Sequence, residues 1–198
     1  MGKRRLEQPA VFLDRDGVLN RPLVFEGKPH PPTSVVDFQL YDDVASGCAR
    51  LKDAGFLLIV VTNQPDVGRK TQSRAEVDKM HAKLSAALPM LDRIEICCHA
   101  GIDYGEPCDC RKPKPGMLFR AAEALLINLK ASYLIGDRSQ DVACAHAAGC
   151  RAIFIDRGYS ESSPDSPDAI VTEFGAAVEW LLRDAERAQA LPSRAEVD

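Results

Sequence analysis

The stretch AVFLDRDGVLN (residues 10–20) carries the most informative pattern in the chain. Four apolar residues are followed at once by Asp14, Arg15 and Asp16, and Gly17 then opens a loop. A short apolar run bounded in this way is typical of a strand buried on both faces of a parallel sheet. Because alternate residues of a strand point to the same side, Asp14 and Asp16 are predicted to face one cavity. An ordinary turn with Asx-type hydrogen bonds uses the same residues, so this stretch alone leaves the chemistry open.

Similar apolar runs recur along the chain and predict a whole sheet. The predicted strands are 10–13, 56–61, 94–97, 133–135 and 152–155. Apolar residues at helical spacing lie between and after them, and the predicted helices are centred on 44–51, 77–88, 117–126, 142–148 and 174–182. This alternation indicates an α/β fold, a three-layer Rossmann-like parallel sheet with helices on both faces. Functional loops of such a sheet collect at the carboxyl ends of its strands.

Two helix ends carry local signals. Ser73, with Glu76 three residues later, predicts a capping box at a helix start. Gly55 follows the helix centred on 44–51 and predicts its end.

The length and composition of the chain indicate one domain. With 198 residues, of which 45% are hydrophobic, the chain is long enough for one well-packed core and short for two. We therefore predict a single domain over 1–198, with a core at about 9–185 and a frayed tail at 189–198. No segment between the predicted elements is long enough to form a separate cap domain, so access to the site is expected to be gated by loops.

The charge and hydropathy patterns exclude several kinds of partner. The net charge of −4 and the pI near 5.6 give no basic field that would attract nucleic acid or anionic lipid. No apolar run reaches the roughly 18 residues of a membrane span, and no signal peptide is evident. We therefore expect no nucleic-acid partner, no membrane partner, a cytoplasmic location and a monomer.

Polar residues also follow other predicted strands or precede helices. They form the stretches TNQ (62–64), RKP (111–113) and GDRSQD (136–141). Each stretch has an ordinary explanation as a strand-ending turn, a solvated basic turn or a helix cap. If there were no common site, each of these stretches and the acidic pair after the first strand would need its own separate explanation. The combination therefore favours one site at the carboxyl edge of the sheet.

In these stretches the chain resembles the haloacid dehalogenase (HAD) superfamily of phosphohydrolases, from about residue 10 to about residue 156. The resemblance implies an aspartyl-phosphate intermediate and a required Mg²⁺. It implies that Asp14 is the nucleophile and that Asp16 is the general acid and base. The metal ligands would be Asp14, the backbone carbonyl of Asp16, and Asp137, with Asp141 ranked lower. Screening by a cation suits this chemistry, because a carboxylate and a phosphate dianion repel each other.

The remaining residues of the expected site bind phosphate or substrate. Thr62 would hold the phosphoryl oxygens, and Lys112 would neutralise the charge that spreads in the transition state. The candidates for the rest of the substrate fall into two groups. Arg15, Asn20 and Asn63 are expected near sugar hydroxyls, and Arg111, Lys114 and Arg138 near a second phosphate. Gln64 is a further substrate-binding candidate.

A cysteine-rich stretch predicts a second metal site. Cys97 and His99 form one short clamp, and Cys108 and Cys110 form another. Two such clamps joined by a flexible loop close four ligands on zinc, and a closed Cys₃His set is structural. The adjacent Cys98 is a competing ligand, but the Cys-x-His spacing favours Cys97.

The zinc stretch and the motif DRDGVLN (14–20) resemble one branch of the superfamily, the heptose 1,7-bisphosphate 7-phosphatases, with the histidinol-phosphate phosphatases as near relatives. The resemblance implies a small phosphorylated metabolite as substrate. Pro65 and Asp66 depart from the branch, which usually has a small Ser-Gly pair after the glutamine. Histidinol phosphate or another small sugar phosphate therefore remains an alternative substrate, and a zinc-stabilised binding module that has lost catalysis is an alternative of another class.

Overall fold

The structure is a computed structural model that describes residues 7–190. Residues 189 and 190 of the predicted tail belong to the last helix, and 191–198 lie outside the described residues. The strands are β1 (Ala10–Leu13), β2 (Leu23–Phe25), β3 (Lys28–His30), β4 (Leu57–Asn63), β5 (Arg93–Cys97), β6 (Tyr133–Gly136), β7 (Arg151–Ile155) and β8 (Ala169–Val171). The helices are α1 (Val44–Asp53), α2 (Pro65–Gly68), α3 (Arg74–Ala87), α4 (Gly116–Leu125), α5 (Ser139–Ala148) and α6 (Phe174–Ala190).

The main sheet confirms the predicted α/β fold. Its six strands are parallel and lie in the order β5-β4-β1-β6-β7-β8. The chain builds outward from β1 through β4 and β5, and then returns to the other side of β1 for the remaining strands. This reversal is a topological switch point, where ligands of such sheets bind. All five predicted strands are present, whereas β8 has only three residues and was not predicted.

Two apolar cores on opposite faces of the sheet give the three layers. On β1, Val11 and Leu13 pack on the face covered by α1, α3 and α6. Ala10 and Phe12 pack on the other face, which α4 and α5 cover. The strand is therefore fully buried, as its continuous apolar run predicts. None of the helices in the described part of the chain has both the length and the apolar character needed to cross a membrane.

The predicted helix ends are largely present. Ser73 Oγ accepts a hydrogen bond from the Glu76 backbone N–H at 3.0 Å, but the capping box is only half formed. The Glu76 carboxylate instead accepts from the backbone N–H of Val35 at 2.9 Å. Gly55 follows the end of α1 at a φ of 90°, a conformation that favours glycine.

Candidate active site

A buried lysine joins the ends of three elements. Lys112 Nζ lies 2.8 Å from Asp14 Oδ1, 2.7 Å from Asp141 Oδ1 and 2.9 Å from the backbone oxygen of Val61. Lys112 therefore forms ion pairs with two carboxylates and donates a hydrogen bond to one backbone carbonyl. Burial opposes the charge of Lys112, but Asp14 and Asp141 outweigh it and raise the pKa of Lys112 above its ordinary value. The lysine therefore stays charged at the end of β1.

Asn63, the last residue of β4, holds this lysine in position. Its Nδ2 donates to the backbone oxygen of Lys112, and its Oδ1 accepts from the backbone N–H of Lys112, both at 3.1 Å. The side-chain amide thus pairs with both backbone polar groups of one residue, as a neighbouring strand would. Asn63 was predicted to contact sugar hydroxyls, and both of its polar atoms are already engaged with Lys112.

Three carboxylates converge beside Lys112. One oxygen from each of Asp14, Asp137 and Asp141 lies within 4.8 Å of the others, and all three residues are buried. Burial raises the pKa of Asp14 to about 7, Lys112 opposes this shift, and Asp141 adds to it. Burial and the charges of Asp14 and Asp141 also raise the pKa of Asp137. One lysine cannot balance three carboxylates, so the cluster is suited to a cation.

Asp137 provides the sharpest test of a metal at this cluster. Both of its carboxylate oxygens are buried, and among residues 7–190 neither has a partner in hydrogen-bonding geometry. The Tyr159 hydroxyl opposes the rise in the pKa of Asp137, but it is itself left without a partner there. Leaving such a carboxylate unpaired costs free energy, and a bound cation would remove that cost. Hard oxygen donors are those that Mg²⁺ prefers. Asp141, which the sequence ranked lower, belongs to the same cluster, and its Oδ2 also accepts from the backbone N–H of Arg138 at 3.0 Å.

Asp16 is held by three neighbours. Arg15 donates to both of its oxygens over 2.9 to 3.2 Å, and Asn20 Nδ2 donates to Oδ1 at 3.0 Å. Gln64 Nε2 lies 2.8 Å from Asp16 Oδ2 and 2.9 Å from Thr62 Oγ1, so it links the ends of β1 and β4. Thr62 lies at the end of β4, as predicted.

Arg15 and Asn20 are placed differently from the sequence-based expectation. Both were expected near sugar hydroxyls, and both are fully buried. The alternation along the chain turns Arg15 to the side opposite Asp14, where its Nη1 lies 3.1 Å from His81 Nε2. Burial and the charge of Arg15 lower the pKa of His81 to about 4, so the ring is neutral and accepts this hydrogen bond.

A cleft of about 320 Å³ opens over the cluster. The predicted site residues that line it are Asp14, Asp16, Asn63, Arg111, Lys112 and Arg138. Residues that the sequence analysis did not assign to the site also line it, and the charged or titratable ones include Lys28, His30, Arg69 and Glu161. Lys28 and His30 belong to the β2–β3 hairpin, which forms in the proline-containing stretch 21–36. Asp66, from the stretch that departs from the heptose branch, lines the cleft as well.

The basic side chains in and near the cleft differ in their hydrogen-bond and ion-pair partners. Arg138 forms a two-pronged pair with Glu161, and Arg69 lies 3.4 Å from Asp66. Arg69 Nε and Arg111 Nη1 are buried, and neither has a hydrogen-bond partner among residues 7–190. Lys114 pairs at 3.5 Å with Asp109 beside the cysteine cluster, away from the lining of this cleft. Arg69 and Arg111 are therefore the cleft arginines that have a donor without a partner in the described part of the chain.

The four predicted zinc ligands lie together. Cys97 Sγ is 3.5 Å from His99 Nδ1 and 3.7 Å from Cys108 Sγ, and Cys110 Sγ is 3.2 Å from His99 Nδ1. In a tetrahedral zinc site with metal–sulfur distances of about 2.3 Å, neighbouring ligand atoms are roughly 3.5 to 3.8 Å apart. The cluster can therefore hold a metal ion. Cys98 is not part of it, and its Sγ instead lies 3.7 Å from Arg74 Nη1.

Comparisons with known proteins agree with this geometry. The model of the HAD-hydrolase-like family matches residues 109–177. A Yersinia pestis protein named D-glycero-beta-D-manno-heptose-1,7-bisphosphate 7-phosphatase is 34% identical over 195 residues, covering 94% of this chain and 96% of that protein. A Vibrio cholerae protein of the same name is 39% identical over 152 residues, covering 73% of this chain and 78% of that protein.

A solved structure resembles the whole fold. The crystal structure of D,D-heptose 1,7-bisphosphate phosphatase from B. bronchiseptica, complexed with magnesium and phosphate, matches with a TM-score of 0.74. The two chains are 27% identical, and the match covers 89% of this chain and 99% of that one. The parallel sheet and its acidic switch point define a hydrolase of the HAD type, and the chain belongs to the HAD-like hydrolase family. Within that family it is a phosphatase.

Proposed function

We propose that the protein removes a phosphoryl group from a phosphorylated heptose, the 7-phosphate of heptose 1,7-bisphosphate, through an aspartyl-phosphate at Asp14. The observation that carries the proposal is the charge arrangement at the end of β1. A buried lysine contacts Asp14 there, and the partnerless carboxylate of Asp137 lies beside them. The names of the relatives support the choice of sugar.

The metal requirement follows from the same cluster. Mg²⁺ would be held by Asp14, Asp137 and the backbone carbonyl of Asp16, with Asp141 contributing directly or through water. When bound, the ion supplies positive charge that screens the carboxylate from the phosphate dianion. The partnerless oxygens of Asp137 and the three-carboxylate cluster support this assignment.

Four side chains carry out the remaining catalytic steps. An Asp14 oxygen attacks phosphorus, and Lys112 is 2.8 Å from that carboxylate, so its charge is adjacent to the group being transferred. The Thr62 hydroxyl accepts from Gln64 and keeps its own hydrogen to donate to a phosphoryl oxygen. Asp16 protonates the leaving sugar oxygen and then takes a proton from the attacking water. Lys112 stabilises charge that develops in the transition state.

A structural zinc ion at Cys97, His99, Cys108 and Cys110 completes the proposal. Three thiolates and one imidazole leave no open position for a substrate, so the ion stabilises the loop. Seven free cysteines suit the reducing cytoplasm, where we place the protein as a single-domain monomer.

Histidinol phosphate is the second candidate substrate, and one observation favours it. Asp66 adds a carboxylate to the cleft at the point where the sequence departs from the heptose branch. A carboxylate there attracts a cationic amine and repels a second phosphate. The two candidates therefore differ in the charge of the group that is distant from the reacting phosphate.

Phosphate release from a substrate panel with Mg²⁺ tests the proposal. The panel contains heptose 1,7-bisphosphate, heptose 7-phosphate and histidinol phosphate, and we expect the largest kcat/KM for the bisphosphate. Asp14→Asn should keep the fold and lose activity by at least about 10³-fold, because the nucleophile is removed. Asp42→Asn, at a side chain that is 98% exposed, is the matched control and should stay active. Full activity of Asp14→Asn would refute the mechanism, and a preference for histidinol phosphate would replace the substrate.

A further inference from the structure

Arg138 and Glu161 form an ion pair inside the cleft. Arg138 Nε lies 2.9 Å from Glu161 Oε2, and Nη2 lies 2.5 Å from Oε1. Both residues line the cleft that contains Asp14, and their side chains are 38% and 25% exposed. Two parallel N–H donors are also what an arginine offers to a phosphate group. Glu161 therefore occupies the donors that a substrate anion would use.

The other two arginines of the cleft lining, Arg69 and Arg111, show that such occupation is not general, because each has a nitrogen without a hydrogen-bond partner among the described residues. Arg111 Nη1 is buried and has no hydrogen-bond partner among the described residues. An anion can bind Arg111 without breaking a contact made by this nitrogen. At Arg138, by contrast, an anion must replace the carboxylate or bind beside it against its charge.

The segment that carries Glu161 is fixed to the rest of the protein on its amino-terminal side. The backbone N–H of Ser160 donates to the Gly27 oxygen of the β2–β3 hairpin at 2.9 Å. Arg157 Nε donates to the Gly17 oxygen at 2.9 Å, and its guanidinium lies 4.1 Å from the centre of the Tyr41 ring. Rotation of the Glu161 side chain is therefore enough to release Arg138, with the backbone kept in place.

We propose that Glu161 is a specificity-determining residue that competes with the substrate's distal anion for Arg138. This inference rests on the proposed function, because it assumes that the substrate carries a second anionic group into the cleft. A substrate with a distal phosphate displaces the carboxylate and binds more weakly than it would to a free arginine. A monophosphate leaves the pair intact and is unaffected. Glu161 thus reduces the advantage of bisphosphates over monophosphates.

Glu161→Gln tests the competition, because glutamine keeps the shape of the side chain and removes its charge. The assay is hydrolysis of p-nitrophenyl phosphate with Mg²⁺, inhibited by heptose 1,7-bisphosphate or by heptose 7-phosphate. We expect the inhibition constant of the bisphosphate to fall about two- to fivefold, the range of one exposed ion pair. The constant of the monophosphate should not change, so the ratio of the two constants is the readout.

Two further variants keep the test specific. Asp165→Asn makes the same change in net charge at an exposed position outside the cleft lining, and it should leave the ratio unchanged. Arg138→Gln should weaken inhibition by the bisphosphate and abolish the effect of Glu161→Gln in the double variant. An unchanged ratio in Glu161→Gln, or an equal change in Asp165→Asn, overturns the inference.

Failure of the proposed function gives a different result. In that case the wild-type protein does not hydrolyse the bisphosphate in preference to other substrates, whatever residue stands at position 161. The inhibition assay still measures how the bisphosphate binds, because it follows release of p-nitrophenol. A bisphosphate that does not inhibit the wild type or Glu161→Gln overturns both proposals.

Discussion

Arg15 carries a charge in the interior of the protein. Its side chain is fully buried, and its guanidinium binds Asp16 and His81 and lies 5.5 Å from the centre of the Phe38 ring. A buried charge is tolerated when it is paired and hydrogen-bonded. Because the two-pronged contact to Asp16 fixes the orientation of that carboxylate, we assign Arg15 a positioning role.

Replacement of Arg15 by lysine should separate positioning from substrate binding. Lysine keeps the charge but has no planar fork to hold both oxygens of Asp16. We expect kcat to fall about tenfold to hundredfold, the usual cost of losing a supporting contact, with KM within about twofold of the wild type. Steady-state kinetics measures both quantities, and thermal unfolding measures the loss of stability.

The matched control for this replacement is Arg21→Lys. Arg21 is a half-exposed arginine that lies 3.5 Å from Asp42, and we expect this control to behave as the wild type. A raised KM with unchanged kcat in Arg15→Lys would contradict the positioning role. It would instead support the sugar contact that the sequence predicts for Arg15.

At the scale of elements, the cysteine cluster supports the walls of the cleft. The four clustered ligands are Cys97 at the end of β5 and three residues of the segment between β5 and α4, which continues directly into Arg111 and Lys112. Helix α2, which carries Asp66, packs closely on this segment. A Cβ added at Gly68 would lie 2.5 Å from the backbone oxygen of Cys98, which is closer than real contacts allow. The segment that carries the cluster therefore packs against α2 and leads into Arg111 and Lys112, which line the cleft.

Cys108→Ser should weaken substrate binding before it unfolds the core. Loss of one thiolate opens the four-ligand site, and the segment leading to Arg111 is then less ordered. We expect zinc content to fall, and KM to rise about tenfold with a smaller change in kcat. Metal analysis and steady-state kinetics measure these effects, and chelation of the wild type should reproduce them.

Cys98→Ser is the control for this replacement. Cys98 is a neighbouring cysteine whose sulfur faces Arg74 and lies outside the cluster, so zinc and KM should be retained. A wild-type protein without stoichiometric zinc, or equal effects of the two serine variants, would count against the zinc site.

At the scale of the whole molecule, the order of strands brings the site together. β1 lies between β4 and β6, so the residues that follow these three strands meet at one edge. The two apolar cores fix the sheet from both faces. Stability and catalysis should therefore be separable, because the cores lie on the faces and the chemistry lies at the edge.

Leu181→Ala tests this separation. Leu181 is fully buried in the core on the α6 side, about 10 Å along the helix from its start at Phe174. We expect the free energy of unfolding to fall by about 2–5 kcal/mol through the cavity left behind. Below the unfolding transition, kcat and KM should equal those of the wild type, as kinetics and denaturant unfolding would measure.

Arg183→Ala is the surface control on the same helix. The Arg183 side chain is 71% exposed and forms a surface pair with Glu179, so its loss should cost less than about 1 kcal/mol. A change in KM for Leu181→Ala would show that the core and the edge are coupled.

Local sequence patterns were sufficient for most of the fold. Four of the five predicted strands are continuous apolar runs, which is the pattern of strands buried on both faces. β8 is a partly exposed run of only three apolar residues, and the sequence analysis assigned it to no element. The capping box at Ser73 was only half right, because Glu76 found a partner in Val35 that is distant in sequence.

The candidate site likewise contains residues whose positions were predicted from the sequence and residues whose positions were not. The positions of Asp14, Thr62 and Asp137 at strand ends followed from the sequence, but their roles stay predictions. Arg15 was predicted to contact the substrate, but in the structure it contacts Asp16 and His81. A local pattern predicts which side of a strand a residue faces, and it does not predict which residue lies opposite. Glu161 left no local signal, since it lies in an irregular segment and meets Arg138 across the cleft.

The local patterns were enough to predict that acidic, amide and basic side chains follow buried parallel strands, and hence that they share one edge of the sheet. The period of the strand and the burial of apolar runs are local properties, so they can be read from neighbouring residues. The folded structure was needed to see that Lys112 binds Asp14 and Asp141, that Arg15 binds Asp16 and His81, and that Glu161 binds Arg138. Charges pair according to distance in space, and most of these partners are brought together by the packing of separate elements.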